Sequence, residues 1–410
     1  MRFLFVHQNF PGQFLHLVRH LLAARQHDVV FICEPNQNVI PGVRKITYQV
    51  PQRHEAAIHP DARDLDQAVA RAEAVAKTAR HLKALGFEPE IIIGHHGWGE
   101  LLNLRDVWPS APLLGYHEFY YNITGYDVGF DPEFPADPAH YAGIRAKNAV
   151  NLLALTNGGH GQTPTRFQLE TYPAWAQPSI TLVPEGVNLD ICRPNPALRT
   201  HIAPIAGLDI DPADKLVTYV ARDLEPYRGF HVMMRAVPYL LRSRPDIRIV
   251  MVGGDGVSYG ARPSQSSWRE LLCAQASPAL DPARVHFPGK IDYADYVRLL
   301  QRSDAHVYLT YPFVASWSLR EALACGCALV ASDTAPVREF VTDGQTGLLT
   351  PFSDARRLAD RVGEALAGGV AIEKMRANAR RYATAHLRMD DHIARYETLI
   401  ARLTEGGREG

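Results

Sequence analysis

Short apolar runs rich in valine, isoleucine and leucine alternate along this chain with stretches of helical period, and that alternation admits few architectures. In the first half the runs are RFLFVH (2–7), DVVFIC (28–33), KITYQV (45–50), EIIIGH (90–95), PLLGYH (112–117), NLLALT (151–156) and ITLVPE (180–185). Helix candidates lie between them at 12–25, 62–85 and 138–149. The second half repeats the scheme with KLVTYVA (215–221), IRIVMVG (247–253), RVHFPG (284–289), AHVYLTY (305–311), ALVASD (328–333) and TGLLTP (346–351). Only helical patterns follow. A strand followed by a helix, many times over, is the signature of an α/β fold built on parallel sheets.

The chain has 410 residues, beyond the roughly 250–300 at which a single core stops growing, so two domains are expected. The break falls in ICRPNPALRTHIAPIAGLDIDPAD (191–214), rich in Pro and polar residues and without periodicity. It separates domains predicted at 1–195 and 205–386. Their beginnings are alike: FLFVHQNFPGQFLHLVRHLL and VTYVARDLEPYRGFHVMMRAVPYLL each read as strand, loop with a late Gly and Phe, then helix. Two Rossmann-like, doubly wound lobes facing a central cleft are the expectation, with ligands at the carboxyl ends of the strands.

Composition narrows the partners. A formal net charge of -1, with 46% hydrophobic and 21% charged residues, offers no general attraction for nucleic acid or an anionic membrane. The five cysteines are scattered (Cys33, Cys192, Cys273, Cys325, Cys327), and Cys-x-Cys is neither a redox nor a zinc-ribbon spacing, so they read as reduced thiols. The first residues, MRFLFVHQNF, enter a strand at once, and no apolar run approaches the roughly 18 residues of a membrane span. The expected location is cytoplasmic, with at most peripheral membrane contact. The helix 62–85 carries Arg63, Arg71, Lys77, Arg80 and Lys83, but interspersed acids make it a solvated face.

Two loops in the second half carry the chemistry. RDLEPYRGF (222–230) places Arg222 and Arg228 after the first strand, beside a glycine that can open a helix; guanidinium groups and helix N–H donors suit a diphosphate. The alternative is that both arginines pair with Asp223 and Glu225 on the surface. In PFVASWSLREALACGC (312–327), a helix starting near Ser318 puts Glu321 one turn inside, where a carboxylate can accept from ribose hydroxyls. Spacing alone favours a capping box of Ser318 and Glu321.

The order of Arg222, Arg228-Gly229, VGGDG, RVHFPGK and Glu321 followed by ALACGCALVASDTAPVREFVTDGQTGLLTPFSD resembles the donor lobe of glycosyltransferase family 4. FPGQF, HHGWGE, GYHE and PEGVNLDICRP in the first half are similar more weakly. The resemblance implies a GT-B fold, with a C-terminal helix at about 387–405 crossing back to the first lobe. It also implies retaining transfer of a sugar from a nucleotide diphosphate sugar to a saccharide, glycolipid or other glycoconjugate acceptor, as in polysaccharide biosynthesis. Carried over residue by residue, Arg222 and Arg228 contact the donor diphosphate, Glu321 binds the ribose, and amides around Ser316, Trp317 and Ser318 face the phosphates. Gly12 lets backbone approach the diphosphate, Gly289 and Lys290 lie along the nucleobase, and His117 touches the donor sugar or the reaction centre. Catalytic roles therefore fall to His117, Arg222 and Arg228, with no cofactor and no metal. Asp209 and Asp211 read as turn residues, and His95 and His96 lack a third ligand at metal spacing.

The chain departs from the family pattern where a first Glu is usual, seven residues before the second: Phe313 stands there. Val314, Ala315 and Ser316 replace the usual Gly-Phe-Gly. An inactive or epimerase-like sugar-nucleotide-binding relative is thus the alternative reading. A dehydrogenase is disfavoured because neither leading loop has Gly-x-Gly-x-x-Gly. The aromatic stretch 116–141, YHEFYYNITGYDVGFDPEFPADPAHY, suits an acceptor sugar or a packed loop equally.

Overall fold

The computed structural model describes residues 1–51, 58–264, 266–277 and 279–406. The chain forms two compact units, Met1–Gly186 with the chain from Met389 onward, and Val187–Arg388.

In the first unit seven strands form one sheet: β1 (Arg2–Val6), β2 (Asp28–Cys33), β3 (Arg44–Thr47), β4 (Ile91–His95), β5 (Leu113–Tyr116), β6 (His160–Thr163) and β7 (Ile180–Leu182). Their order is β3-β2-β1-β4-β5-β6-β7 and every pairing is parallel. Phe3 is in register with both Val29 and Ile91. The strands β1, β2 and β4 at the centre are largely apolar because helices cover both faces of such a sheet. One face packs Phe5, Phe14, Phe31 and Ile93 with the C-terminal helix (Met389–Gly406), which contributes Ile393, Tyr396 and Ile400. The other face packs Leu4, Ile32 and Ile92 with Val75, Ala79 and Leu82 of the helix Arg63–Ala84. That helix thus spends its apolar stripe in the core.

NLLALT, read as a strand, lies in the helix Tyr141–Thr156. Asn148, Asn151 and Ala154 recur on its buried side at the helical interval of three, and the two amides donate to the carbonyls of Tyr121 (2.7 Å) and Phe119 (3.0 Å). The true strand, β6, is HGQT, whose polar composition hid it.

The second unit has a six-stranded sheet: β10 (Lys215–Asp223), β11 (Ile247–Gly254), β12 (Val285–Gly289), β13 (Ala305–Tyr308), β14 (Leu329–Ser332) and β15 (Leu348–Thr350). Its order, β12-β11-β10-β13-β14-β15, is again wholly parallel. The stretch 191–214, read as a linker, belongs to this unit. It contains the hairpin of β8 (Ala203–Ile205) and β9 (Leu208–Ile210). Ala206 and Gly207 turn the hairpin with φ of 53° and 75°, the left-handed pair of a two-residue turn. Leu198, Ala203, Ile205 and Ile210 pack there against Leu216, Val250 and Leu299. Proline content masked a packed segment.

All five cysteines are free thiols. No helix among the described residues is long and apolar enough to cross a membrane.

Candidate functional site

In the second unit β10 pairs with β11 on one side and β13 on the other, so the strand order reverses at β10. Open parallel sheets bind ligands at such a point, beyond the carboxyl ends of the strands. The loops leaving β10, β11, β12 and β13 supply almost all the residues singled out above.

Arg222, next to last in β10, is exposed and enters no hydrogen bond or ion pair among the described residues. The surface pairing of the two arginines with Asp223 and Glu225 does not occur. Asp223 accepts from Ser258 Oγ (2.6 Å) and pairs with Lys290 Nζ at 3.3 Å. The buried carboxylate of Glu225 accepts the backbone amides of Ser258 (3.1 Å), Tyr259 (3.3 Å) and Gly260 (2.9 Å), tying the loop after β11 to the loop after β10. Gly254 explains part of VGGDG, since a Cβ there would lie 2.6 Å from Asp223 Oδ1 and 2.5 Å from Lys290 Cε.

Arg228 is buried, and one terminal nitrogen donates to Thr310 Oγ1 (2.7 Å) and the Val314 carbonyl (3.0 Å). Its guanidinium lies 4.9 Å from the centroid of Tyr259. A guanidinium has five N–H donors, and these two bonds use one of its terminal nitrogens. Gly229, which follows, has a φ of 71°, and a Cβ there would lie 2.4 Å from Leu309 Cβ, so only glycine starts this helix. Phe313 is 3% exposed and packs against Tyr227 (5.4 Å) and Tyr259 (5.0 Å). Tyr227 in turn stacks on Tyr311 at 4.5 Å. An aromatic cluster occupies the place of the family's first carboxylate.

The helix after β13 is Trp317–Ala324, with Ser316 at its N-cap and no capping bond from that side chain. The box of Ser318 and Glu321 therefore does not form. Ser318 lies inside the first turn, its hydroxyl 2.6 Å from Ser316 Oγ. The Ser316 amide already donates to Tyr308 Oη (2.8 Å), which leaves the amides further in as candidates for phosphate. Glu321 accepts from Tyr293 Oη at 2.8 Å and from Tyr296 Oη at 2.7 Å. Burial pushes the Glu321 carboxyl up, and the two tyrosine hydroxyls oppose that rise. Gly289, with a φ of 75° and open space where a Cβ would be, turns the chain out of β12 toward Lys290. Tyr293 and Tyr296, three apart on the helix Tyr293–Arg302, escaped the sequence reading although that spacing puts both on one helix face.

In the first unit His7, His95 and His117 stand at or just beyond the carboxyl ends of β1, β4 and β5. A Cβ on Gly12 would lie 2.8 Å from the His7 ring, so Gly12 makes room for an imidazole. Gly115 and Gly161 do the same for His96 and His117, at 1.9 Å and 2.9 Å. The rings of His96 and His117 are 4.8 Å apart, and those of His7 and His95 5.3 Å. Burial first, and then His95, pull both His7 and His117 down to about 3. His117 is accordingly a neutral imidazole near neutral pH. The aromatic stretch 116–141 is pinned by its backbone: besides the two asparagine bonds, the Tyr120 amide donates to Thr171 Oγ1 at 3.0 Å.

Asp209 lies in β9, and Asp211 Oδ1 accepts the Ala213 amide at 2.8 Å, which is turn chemistry.

The family model "Glycosyl transferase family 4 group" matches residues 25–192, and "Glycosyl transferases group 1" matches residues 205–386. The chain belongs to glycosyltransferase family 4 and has the GT-B fold. It is 29% identical over 197 residues to the phosphatidyl-myo-inositol mannosyltransferase of Mycobacterium leprae, covering 47% of this chain and 46% of that one. It is 30% identical over 228 residues to the D-inositol 3-phosphate glycosyltransferase of Thermobispora bispora, covering 54% and 50%. The chain thus spans about half the length of the curated relatives it matches. Among solved structures, sucrose-phosphate synthase from Thermosynechococcus elongatus superposes with a TM-score of 0.74 at 20% identity, covering 99% of this chain and 100% of that one. Anabaena HepE in complex with UDP-glucose superposes at 0.68 and 17%, covering 98% and 100%.

Proposed function

We propose that this protein is a retaining glycosyltransferase that moves a sugar from a nucleotide diphosphate sugar to a hydroxyl of a saccharide or glycoconjugate, without a metal. The observation that carries the reading is Arg222: an exposed cation whose side chain has no hydrogen-bond or ion-pair partner among the described residues, at the point where the strand order reverses. A diphosphate there meets Arg222, Arg228 and the first-turn amides of the helix Trp317–Ala324. In a front-face displacement the bond from the anomeric carbon to the diphosphate breaks as the acceptor oxygen bonds on the same face. The acceptor proton passes to the departing phosphate oxygen. Positive groups aimed at charge that develops on the leaving group lower the barrier more than they tighten the ground state. His117, buried and neutral, is suited to hydrogen bonding rather than to acid catalysis. The donors named for the solved HepE complex and the acceptors named for the curated relatives support this class of reaction.

Phe313 gives the second reading its support, because its cluster offers no carboxylate to a donor sugar: the protein then binds sugar nucleotides without transferring them. Donor turnover separates the two. UDP-, GDP-, TDP-, CDP- and ADP-sugars are incubated with a panel of simple sugars, inositol and inositol phosphates, and diphosphate release and product anomers are followed. The expected result is release with one donor class, retained configuration and no loss of rate in EDTA. Binding without release supports the second reading, an inverted product overturns the front-face step, and loss of rate in EDTA overturns metal independence.

A further inference from the structure

The Glu321 carboxylate is fixed by two hydroxyls from one helix. Tyr293 donates to Oε1 and Tyr296 to Oε2, at 2.8 and 2.7 Å, with ring centroids 5.8 Å apart. The first of these contacts is exposed, and Tyr293 itself is 50% exposed, whereas the second is partly buried. Behind Tyr293, Cys192 Sγ lies 3.5 Å from its hydroxyl, within hydrogen-bond reach of sulfur. Here each oxygen has its own donor, and the plane of the carboxylate is thereby set.

A carboxylate has about four lone-pair sites. The tyrosines take one on each oxygen, which leaves each oxygen able to accept another donor. Two adjacent acceptors match two adjacent hydroxyl donors, the 2′- and 3′-hydroxyls of a ribose, and match a 2′-deoxyribose at only one. We propose that Tyr293 and Tyr296 are positioning residues that orient Glu321 toward a vicinal diol, and so set a preference for ribonucleoside over 2′-deoxyribonucleoside diphosphates. This rests on the reading of Glu321 as the ribose contact.

Calorimetric titration of the full chain with paired UDP and 2′-deoxy-UDP, and the same pairs for the other bases, tests it. The wild type is expected to favour the ribo form by about tenfold, the range of a hydrogen bond to a charged group. Tyr296→Phe and Tyr293→Phe are expected to reduce that ratio to about threefold or less, with Glu321→Gln as reference. Because Tyr293 is half exposed, its variant keeps the test valid if the Tyr296 variant fails to fold. A ratio that stays unchanged while both affinities fall together means that the tyrosines only support the helix, and overturns the proposal. A wild type indifferent to the 2′-hydroxyl overturns it as well. A wild type that binds no diphosphate of either kind removes the proposed function itself, a result distinct from either.

Discussion

Arg222→Ala is expected to lower turnover by about two to three orders of magnitude, the usual loss when a preorganised group that stabilises transition-state charge is deleted. The fold should not register the change. The Arg222 side chain is exposed and has no hydrogen bond or ion pair to lose among the described residues, and such surface substitutions stay within about 0.5 kcal/mol. The loss should fall on kcat more than on KM, because the diphosphate gains charge as the sugar leaves. Arg222→Lys should fall between the two, keeping the charge but losing the planar fork that suits two phosphate oxygens. Comparable turnover in wild type and Arg222→Ala, at equal melting temperature, would remove Arg222 from the mechanism.

The largest expected effect on stability comes from Asp304→Ala. Asp304 Oδ1 receives Arg199 at 2.5 Å, and Oδ2 receives Arg302 at 2.7 Å and the Leu216 amide at 2.9 Å. Arg302 is 1% exposed and also donates to the carbonyls of Asp211 and Asp214, both at 2.9 Å. Deleting the carboxylate leaves a buried guanidinium without its counter-charge, a change that costs about 3–5 kcal/mol. For a unit of this size that lowers the melting temperature by roughly 10 °C. The effect has a sign with pH. Burial pushes the Asp304 carboxyl up, but Arg199, the Leu216 amide and Arg302 more than offset it and hold it below its usual value. Its stabilisation is therefore complete above the unfolded carboxyl range, near pH 4, and is lost as pH falls through the lower folded value. Unfolding in urea at pH 7 and again near pH 3 should show a wide gap between wild type and Asp304→Ala that narrows in acid. An equal gap at both pH values would contradict this assignment.

Much of the fold was legible because a parallel sheet covered on both faces needs strands that are largely apolar, as DVVFIC and ALVASD are. Where a strand departs from that rule, reading failed: HGQT is β6, and the more apolar NLLALT is a helix whose buried asparagines serve a neighbouring loop. The hairpin at 203–210 was hidden for a related reason, since its prolines and polar residues flank a few side chains that are buried all the same.

The candidate site divides in the same way. The loops after β10 and β13 stood out by their arginines, glycine and glutamate, while spacing alone left surface pairing and a helix cap open and the resemblance supplied the expected roles. Partners across the sequence did not stand out. Glu225 looked like a surface mate for an arginine, yet it binds amides more than thirty residues away. Glu321 matched a helix cap in spacing, but the helix begins at Trp317 and its tyrosine partners lie on another helix. Spacing reports local geometry, and these contacts are long-range.

The most direct test of the donor site is thermal unfolding of the full chain with millimolar UDP, GDP, TDP, CDP and ADP in parallel, and NAD as control. A ligand at about 100 times its dissociation constant stabilises the native state by roughly 2.7 kcal/mol, enough to raise the midpoint by several degrees. The expected result is a rise with one nucleoside diphosphate that vanishes in Glu321→Gln. A midpoint unmoved by every diphosphate, or moved by NAD alone, would contradict a nucleotide-sugar site on the second unit.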